Sequence, residues 1–278
     1  MKDDILLPED YTDPQCPFCT DAYKKEPPVK SIPVGRILDK ADEYFSRNDY
    51  AGAERHFLFW LEEAKEGNDD RGAFALRNEL MGLYRKTGKR EKALENLSET
   101  LGLIKKMGIE DTVSAGTAFV NAATVYKAFS MSEKAVPLFE KAREIYEREL
   151  KEGDGRLGGL YNNTALALVD LKRYSAAREI YGKALKVMEK AEHGELERAI
   201  TCLNLANLAE AERGLEDAAE EIAELVGTAE NLLDTPSLPR NGYYAFVCEK
   251  CAPTFGYYGY FAFEAELKRR AGEIYERP

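Results

Sequence analysis

Five alanines recur along the chain at a nearly constant spacing. They are separated by 40, 42, 42 and 41 residues and stand at Ala53, Ala93, Ala135, Ala177 and Ala218. A large apolar residue follows each alanine four positions later: Phe57, Leu97, Phe139, Tyr181 and Ile222. Self-similarity at a period of about 20 to 50 residues is typical of stacked repeats, in which each unit packs on its neighbours. The spacing therefore predicts a solenoid, a fold that offers a long binding surface and not a preformed catalytic pocket.

Apolar residues between these alanines follow a helical period of 3.6 residues. The pattern predicts a first helix pair from Val34, with a break at Asn48–Tyr50. Four further pairs are predicted: the second at 71–87 and 90–107, the third at 111–129 and 132–152, the fourth at 156–171 and 174–191, and the fifth at 195–212 and 215–233. Counting 41 residues from Ala218 reaches Gly259, which predicts a degenerate sixth pair at about 240–252 and 256–276. Its first helix is expected to stop near Pro253. The chain thus divides into an extended, proline-rich arm at 1–33, five repeats at 34–235, and an aromatic-rich sixth repeat or cap at 236–278.

Small and large residues also alternate within each predicted pair. The positions twelve residues before the alanines hold Ala41, Met81, Ala123, Ala165 and Ala206, and the first three of these are followed three residues later by Tyr44, Tyr84 and Tyr126. This small-x2-Tyr and Ala-x3-Phe pattern resembles the tetratricopeptide repeat (TPR) of a bacterial-type protein. The longer period of 40–42 residues is similar to the repeats of the kinesin light chain, as are asparagine-rich segments such as Asn121–Tyr126. The resemblance implies an all-α, right-handed superhelix of five to six helical hairpins.

Three asparagines occupy one repeat position at intervals of 42 and 41 residues, namely Asn121, Asn163 and Asn204, with Asn162 and Asn207 beside them. In TPR proteins this position faces the concave groove. An amide both donates and accepts hydrogen bonds, so such a row would hold an extended peptide with little demand on its sequence. The alternative is that these amides bond neighbouring helices and fix the superhelix. Lys127 and Arg85 are expected to flank the groove, where they would meet an acidic ligand or remain solvated surface charges.

Four of the five cysteines form two C-x-x-C pairs, Cys16 with Cys19 and Cys248 with Cys251. This spacing lets two thiolates reach one tetrahedral zinc ion. By repeat count, Cys248 and Cys251 take the positions of Asn207 and Glu210 and should face the groove. A four-cysteine zinc site would then close the arm onto the last repeat or join two chains. Unmetallated small residues and a redox dithiol are the alternatives, and the fifth cysteine, Cys202, is predicted to be a buried thiol.

The segment from Tyr243 to Phe263 is dense in aromatic residues. It predicts either a core that also packs the arm or a surface for a homodimer or another partner. The two histidines, His56 and His193, have no acid or base partner at a motif spacing, and no phosphate-binding loop or nucleophile elbow is present. We therefore predict that the chain is not an enzyme.

Composition limits the partners and the compartment. The net charge of -11 argues against binding to nucleic acid or to anionic membranes. The sequence begins without an apolar run of signal-peptide length, and no stretch is apolar enough to span a membrane, so the cysteines are expected to be reduced thiols in a cytoplasm. The leading prediction is a cytoplasmic, non-catalytic scaffold that binds a protein or peptide in its concave groove. The alternative is a self-assembling structural module closed by zinc.

Overall fold

A computed structural model of the chain describes residues 29–276. Within this range the chain forms twelve α-helices and no β-strand, which confirms the all-α prediction. The helices are α1 Val34–Ser46, α2 Tyr50–Glu66, α3 Asp70–Lys86, α4 Arg90–Met107, α5 Val113–Ala128, α6 Ser132–Glu149, α7 Gly155–Asp170, α8 Tyr174–Met188, α9 Glu195–Arg213, α10 Ala219–Leu233, α11 Gly242–Tyr257 and α12 Phe261–Tyr275.

Contacts divide the chain into two compact units, with the boundary inside α3 between Glu79 and Leu80. In the first unit, α1 packs on α2, and Ile37, Ala53 and Phe57 are almost fully buried. The N-terminus of α2 is capped by Asp49, whose carboxylate accepts the N–H of Gly52 at 2.7 Å. Such a cap satisfies one of the backbone donors that a helix start leaves unpaired.

The second unit contains the helical hairpins α5/α6, α7/α8, α9/α10 and α11/α12, in each of which the two helices pack on one another. The alanine register provides the contact points, because Ala135 and Ala177 have no exposed surface and Ala218 retains 1%. The apolar residues four positions later, Phe139, Tyr181 and Ile222, are buried as well. A larger side chain at the alanine would push the helix axes apart, so the repeat spacing corresponds to the packing of the core.

Most of the hairpins turn through one residue in the left-handed region of backbone space. In the described chain these residues, with φ between 56° and 88°, are Asn48, Gly88, Ser130, Lys172 and Gly259. The residue that follows each of them donates its N–H to the carbonyl five positions earlier, at 2.8–2.9 Å, in the pairs Asp49–Tyr44, Lys89–Tyr84, Met131–Tyr126, Arg173–Leu168 and Tyr260–Phe255. This bond satisfies a carbonyl at the end of the first helix and marks the same point in each hairpin.

These turns correct the predicted register of the last hairpin. Gly259 is the turn residue and corresponds to Lys172, not to Ala218. The small-x2-aromatic pattern of the last hairpin is therefore Ala252–Phe255, and both residues are fully buried. The preceding connections are longer than their counterparts: α10 starts at Ala219, not at 215, and residues 234–241 separate α10 from α11, whereas residues 189–194 separate α8 from α9. The equivalent positions of α9 and α11 consequently lie about 46 residues apart, not 41.

The prediction that the first helix of this hairpin stops near Pro253 is also wrong, because α11 continues to Tyr257. Proline removes one backbone hydrogen bond and costs about 3 kcal/mol in a helix interior. Phe255, which lies beyond it, is fully buried and packs edge-on against Phe263 with 4.7 Å between ring centroids. Burial of an aromatic ring stabilises the fold by about 1.5–3 kcal/mol. This packing offsets the lost hydrogen bond and keeps the helix intact.

Candidate functional site

The first helices of successive hairpins in the second unit lie side by side, since α5 contacts α7, α7 contacts α9 and α9 contacts α11. On α5, α7 and α11 an accessible stripe has the i, i+4, i+7, i+11 spacing of one helix face, and on α9, where Ile200 is buried, the last three of these positions are accessible. We call these stripes together the inner face. They comprise Thr117, Asn121, Thr124 and Ala128 on α5, Gly159, Asn163, Leu166 and Asp170 on α7, Asn204, Asn207 and Ala211 on α9, and Phe246, Lys250, Pro253 and Tyr257 on α11.

The predicted asparagine row is part of this inner face. Asn121, Asn163 and Asn204 are half-buried at equivalent positions of α5, α7 and α9. The side-chain N–H of Asn163 donates to the carbonyl of Gly159 at 2.9 Å. Because an amide has two N–H donors and an accepting oxygen, this bond leaves capacity for a ligand. Asn207 is exposed, and its side-chain oxygen lies 2.9 Å from the hydroxyl oxygen of Tyr258.

Asn162 bonds a neighbouring helix, which was the alternative prediction for these amides. It is only 5% exposed and is hydrogen-bonded to Thr201, with its Nδ2 2.9 Å and its Oδ1 3.1 Å from the Thr201 hydroxyl. Thr201 is fully buried and also lies 2.7 Å from the carbonyl of Glu197. Asn162 therefore joins α7 to α9 and does not line the inner face as predicted.

The two predicted flanking cations differ in their surroundings. The ammonium of Lys127 lies 3.6 Å from the carboxylate of Asp170, which also accepts the hydroxyl of Ser132 at 2.8 Å. The charge of Lys127 is thus balanced within the protein. Arg85 is exposed near the C-terminal end of α3.

Aromatic residues of α11 form the end of the inner face. Tyr243, Phe246 and Tyr257 are each about half exposed or more, and the rings of Tyr243 and Phe246 stack with 6.2 Å between centroids. Other aromatics of the same segment, including Tyr244 and Phe255, are fully buried. One face of this segment therefore enters the core and the other remains accessible, while the predicted packing of the arm lies outside the described residues and the partner surface stays a prediction. The homodimer itself stays a prediction.

Two tyrosines next to this end bind the carboxylate of Glu210. The hydroxyl of Tyr257 donates to its Oε1 at 2.5 Å, and the hydroxyl of Tyr258 donates to its Oε2 at 2.9 Å. Hydrogen bonding to Glu210 is the main cause that raises the pKa of Tyr257, whereas burial is the main cause for Tyr258. Both hydroxyls therefore remain protonated donors at neutral pH. A spacing of 41 residues between equivalent positions of α9 and α11 does not predict the contact of Tyr257 and Tyr258 with Glu210. The spacing of about 46 residues seen in the structure would have predicted it.

The second C-x-x-C pair lies in the core. Cys248 has no exposed surface and Cys251 retains 2%, within the apolar cluster of α9 to α12, so the expectation that they face the groove is wrong. In the corrected register Cys248 corresponds to Tyr161, a core position. Burial raises the pKa of the Cys248 thiol to about 11 and that of Cys251 to about 12, so both are protonated at neutral pH. Cys202 is buried as predicted, with a pKa of about 11.

The zinc prediction cannot be followed to a complete ligand set, because Cys16 and Cys19 lie outside the described residues. Within residues 29–276 no three histidine, cysteine, aspartate or glutamate side chains are grouped as metal ligands would be. The four-cysteine site stays a prediction.

The two histidines have local contacts. His56 Nε2 lies 3.1 Å from the carbonyl oxygen of Ile37, a contact between α1 and α2. His193 is exposed in the turn before α9, 3.8 Å from the carboxylate of Glu192. In the part of the chain that is described, none of the helices has both the length and the apolar character needed to cross a bilayer.

Comparison with known proteins gives structural neighbours only. No family model and no curated protein matches the sequence. The crystal structure of BtubC (BKLC) from P. vanneervenii is similar with a TM-score of 0.64 and 22% identity, over 75% of this chain and 84% of that one. The apo form of RapI is similar with a TM-score of 0.59 and 14% identity, over 91% of this chain and 87% of that one. The kinesin light chain TPR-like repeats of Podosopora anserina give a TM-score of 0.49 at 18% identity, over 71% and 92%. At these identities the likeness concerns the fold, and the chain has the fold of a TPR-type repeat protein.

Proposed function

We propose that the chain is a non-catalytic scaffold that binds an extended peptide or protein segment along the inner face. The observation that carries the proposal is the composition of this face on α5, α7 and α9. Its accessible positions hold mainly alanine, glycine, threonine and asparagine, with Leu166 the one larger apolar residue and Asp170 the one charged residue among those named above. The short side chains leave room for a second backbone, and the asparagines supply amides that bond it.

The spacing of the asparagine row supports an extended ligand. Adjacent packed helices lie about 8–10 Å apart, and an extended chain rises about 3.3 Å per residue. Each step from Asn121 to Asn163 to Asn204 therefore corresponds to about three residues of an extended peptide. Amides at that interval bond backbone groups and not particular side chains, so they provide affinity with modest sequence selectivity.

The fold and the chemistry of the chain support this proposal in other ways. Solenoids of helical hairpins typically offer an extended binding surface. The free thiols of Cys202, Cys248 and Cys251 fit a reducing, cytoplasmic setting.

The test uses peptides selected from a random display library on the full-length protein, with affinities measured by fluorescence anisotropy. We expect the double variant Asn163→Ala/Asn204→Ala to weaken the selected peptides by roughly tenfold, as the loss of one or two ligand hydrogen bonds implies. The matched control is Asn231→Ala, which removes an exposed amide from the second helix α10 and should leave affinity unchanged. If the double variant binds every selected peptide as well as the control does, the inner face is not the binding site.

The second candidate is a self-assembling module closed by zinc between the two C-x-x-C pairs, within one chain or between two. Its support is the ligand spacing in the sequence. Because zinc binds thiolates, Cys248 and Cys251 would have to lose both their protons and their apolar surroundings. Metal analysis of protein purified without added zinc tests it, and a content below about half an equivalent per chain would refute it, since four thiolates hold one ion.

A further inference from the structure

A pocket of about 620 Å³ opens between α9 and α11 at the aromatic end of the inner face. Its lining consists of Asn207, Glu210, Ala211, Gly214, Leu215, Pro253, Thr254 and Tyr257. Among these described residues, Glu210 is the one charged side chain. Leu215 is 54% and Tyr257 65% exposed, so the pocket joins an anionic group to accessible apolar walls.

The carboxylate of Glu210 is held in a fixed orientation. Each of its oxygens accepts one tyrosine hydroxyl, from Tyr257 at 2.5 Å and from Tyr258 at 2.9 Å, and the two rings meet edge-on with 5.0 Å between centroids. An ionised carboxylate has about four acceptor sites, so these two bonds leave others open. The hydroxyl bond to an anion also enriches the Tyr257 ring in electrons, which strengthens its attraction for a cation.

We infer that this pocket binds an arginine side chain of the peptide that occupies the inner face, with the guanidinium stacked on Tyr257 and hydrogen-bonded to Glu210. The inference rests on the proposed function and adds the chemical class of the ligand. A guanidinium is planar and carries several N–H donors, so it stacks on a ring and bonds a carboxylate at the same time. A lysine ammonium makes the carboxylate contact but lacks the planar stacking, and an acidic side chain is repelled.

The surrounding charges agree with a basic ligand. The net charge of the chain is -11, which attracts cationic segments. Lys127, which lies beside the inner face on α5, is already compensated by Asp170. Lys250 on α11 is not among the residues that line the pocket. The pocket therefore differs from the groove flank at Lys127 and Arg85, for which the sequence suggested an acidic ligand.

The experiment uses peptides selected at random on the full-length protein and compares each with a copy in which citrulline replaces arginine. Citrulline has nearly the shape of arginine but no charge. We expect the selected peptides to contain arginine, and both the citrulline replacement and Glu210→Gln to lower affinity by roughly tenfold or more. The two changes should not be additive, so that Glu210→Gln has little effect on the citrulline peptide.

Controls separate a direct contact from a structural effect. Glu216→Gln removes an exposed carboxylate from the α9–α10 turn outside the pocket and should leave affinity within about twofold. Tyr257→Phe keeps the ring but loses the hydroxyl bond to Glu210, so it should weaken binding less than Tyr257→Leu, which also removes the stacking surface. Circular dichroism melting checks that each variant folds.

The outcomes distinguish the two proposals. Recovery of no binding peptide at all would refute the proposed function. Peptides that depend on Asn163 and Asn204 but lack arginine, or that tolerate citrulline and Glu210→Gln, would refute the arginine pocket and leave the scaffold function standing. Selection of predominantly acidic peptides would overturn the inference in the same way.

Discussion

The hydrogen-bonded pair Asn162–Thr201 allows a quantitative test of how the repeats are joined. Thr201→Val preserves the shape of the side chain but deletes the hydroxyl that bonds Asn162 and lies 2.7 Å from the Glu197 carbonyl. Because Asn162 is 5% exposed, its amide is left without a partner, and we expect a cost of about 1–3 kcal/mol in the free energy of unfolding. Asn162→Leu removes the amide, but Thr201 keeps its bond to Glu197, so the expected cost is only about 1 kcal/mol.

The double variant decides whether the pair interacts. With both polar groups replaced, no buried donor is left unsatisfied, so the double variant should be more stable than the sum of the single effects by about 1–2 kcal/mol. The control is Thr228→Val, at an exposed threonine with the same bond to a carbonyl four residues earlier, that of Glu224 at 2.8 Å. This control should change stability by no more than about 0.5 kcal/mol.

Urea unfolding followed by far-UV circular dichroism measures these differences. Repeat proteins can lose cooperativity when one interface is weakened, which changes the slope of the unfolding free energy with urea concentration. The variants are therefore compared only if this slope is the same in all of them. Additive single effects, or a Thr201→Val variant as stable as Thr228→Val, would refute the idea that Asn162 couples α7 to α9.

Three further predictions follow from the packing. Gly194→Ala should destabilise the chain by about 1–3 kcal/mol, because its Cβ would overlap the Met188 carbonyl, whereas Gly182→Ala, with open space inside α8, should stabilise it by about 0.5–1 kcal/mol in the same urea assay. Pro253→Ala restores a helical N–H in α11 and should raise the melting temperature; an unchanged or lower value would contradict the cost assigned to this proline. The free energy of unfolding should fall as pH rises from about 9 to about 12, because unfolded thiols ionise while buried ones keep their protons. Cys251→Ala should reduce this loss of unfolding free energy between about pH 9 and 12. If the pH profile of the variant ran parallel to that of the unmodified protein, the raised thiol pKa values would be contradicted. The thiols concerned are Cys202, Cys248 and Cys251.

The sequence predicts the hairpins well because their determinants are local. The alanine at each helix crossing and the large residue four positions later are repeated with little change up to Ala218, and the structure buries them. The last hairpin is predicted less well, because the count assumes connections of constant length. Two longer connections shift α11 by about five residues, which moves Cys248 into the core and leaves Lys250 in the accessible stripe.

Part of the candidate site could likewise be predicted from the sequence, and part could not. The asparagine row follows from repeat spacing, since equivalent positions of similar hairpins share a face. The burial of Asn162 does not follow from it, because a one-residue change of helix position turns the side chain from the accessible face toward α9. The contact of Glu210 with Tyr257 and Tyr258 depends on the shifted register of α11, which is set by tertiary packing and not by a local pattern.

The contrast between the mostly short residues of the inner face on α5, α7 and α9 and the aromatic residues of α11 has a consequence for any chain bound there. The three equivalent stripes on α5, α7 and α9 alone would let an extended ligand shift by one hairpin, which is about three residues, with little change in its contacts. A bulky wall that carries Phe246 and Tyr257 at one end removes this degeneracy, because only one alignment brings a matching side chain to it. The last hairpin would thus fix the direction and the register of a ligand bound to a surface that is otherwise periodic.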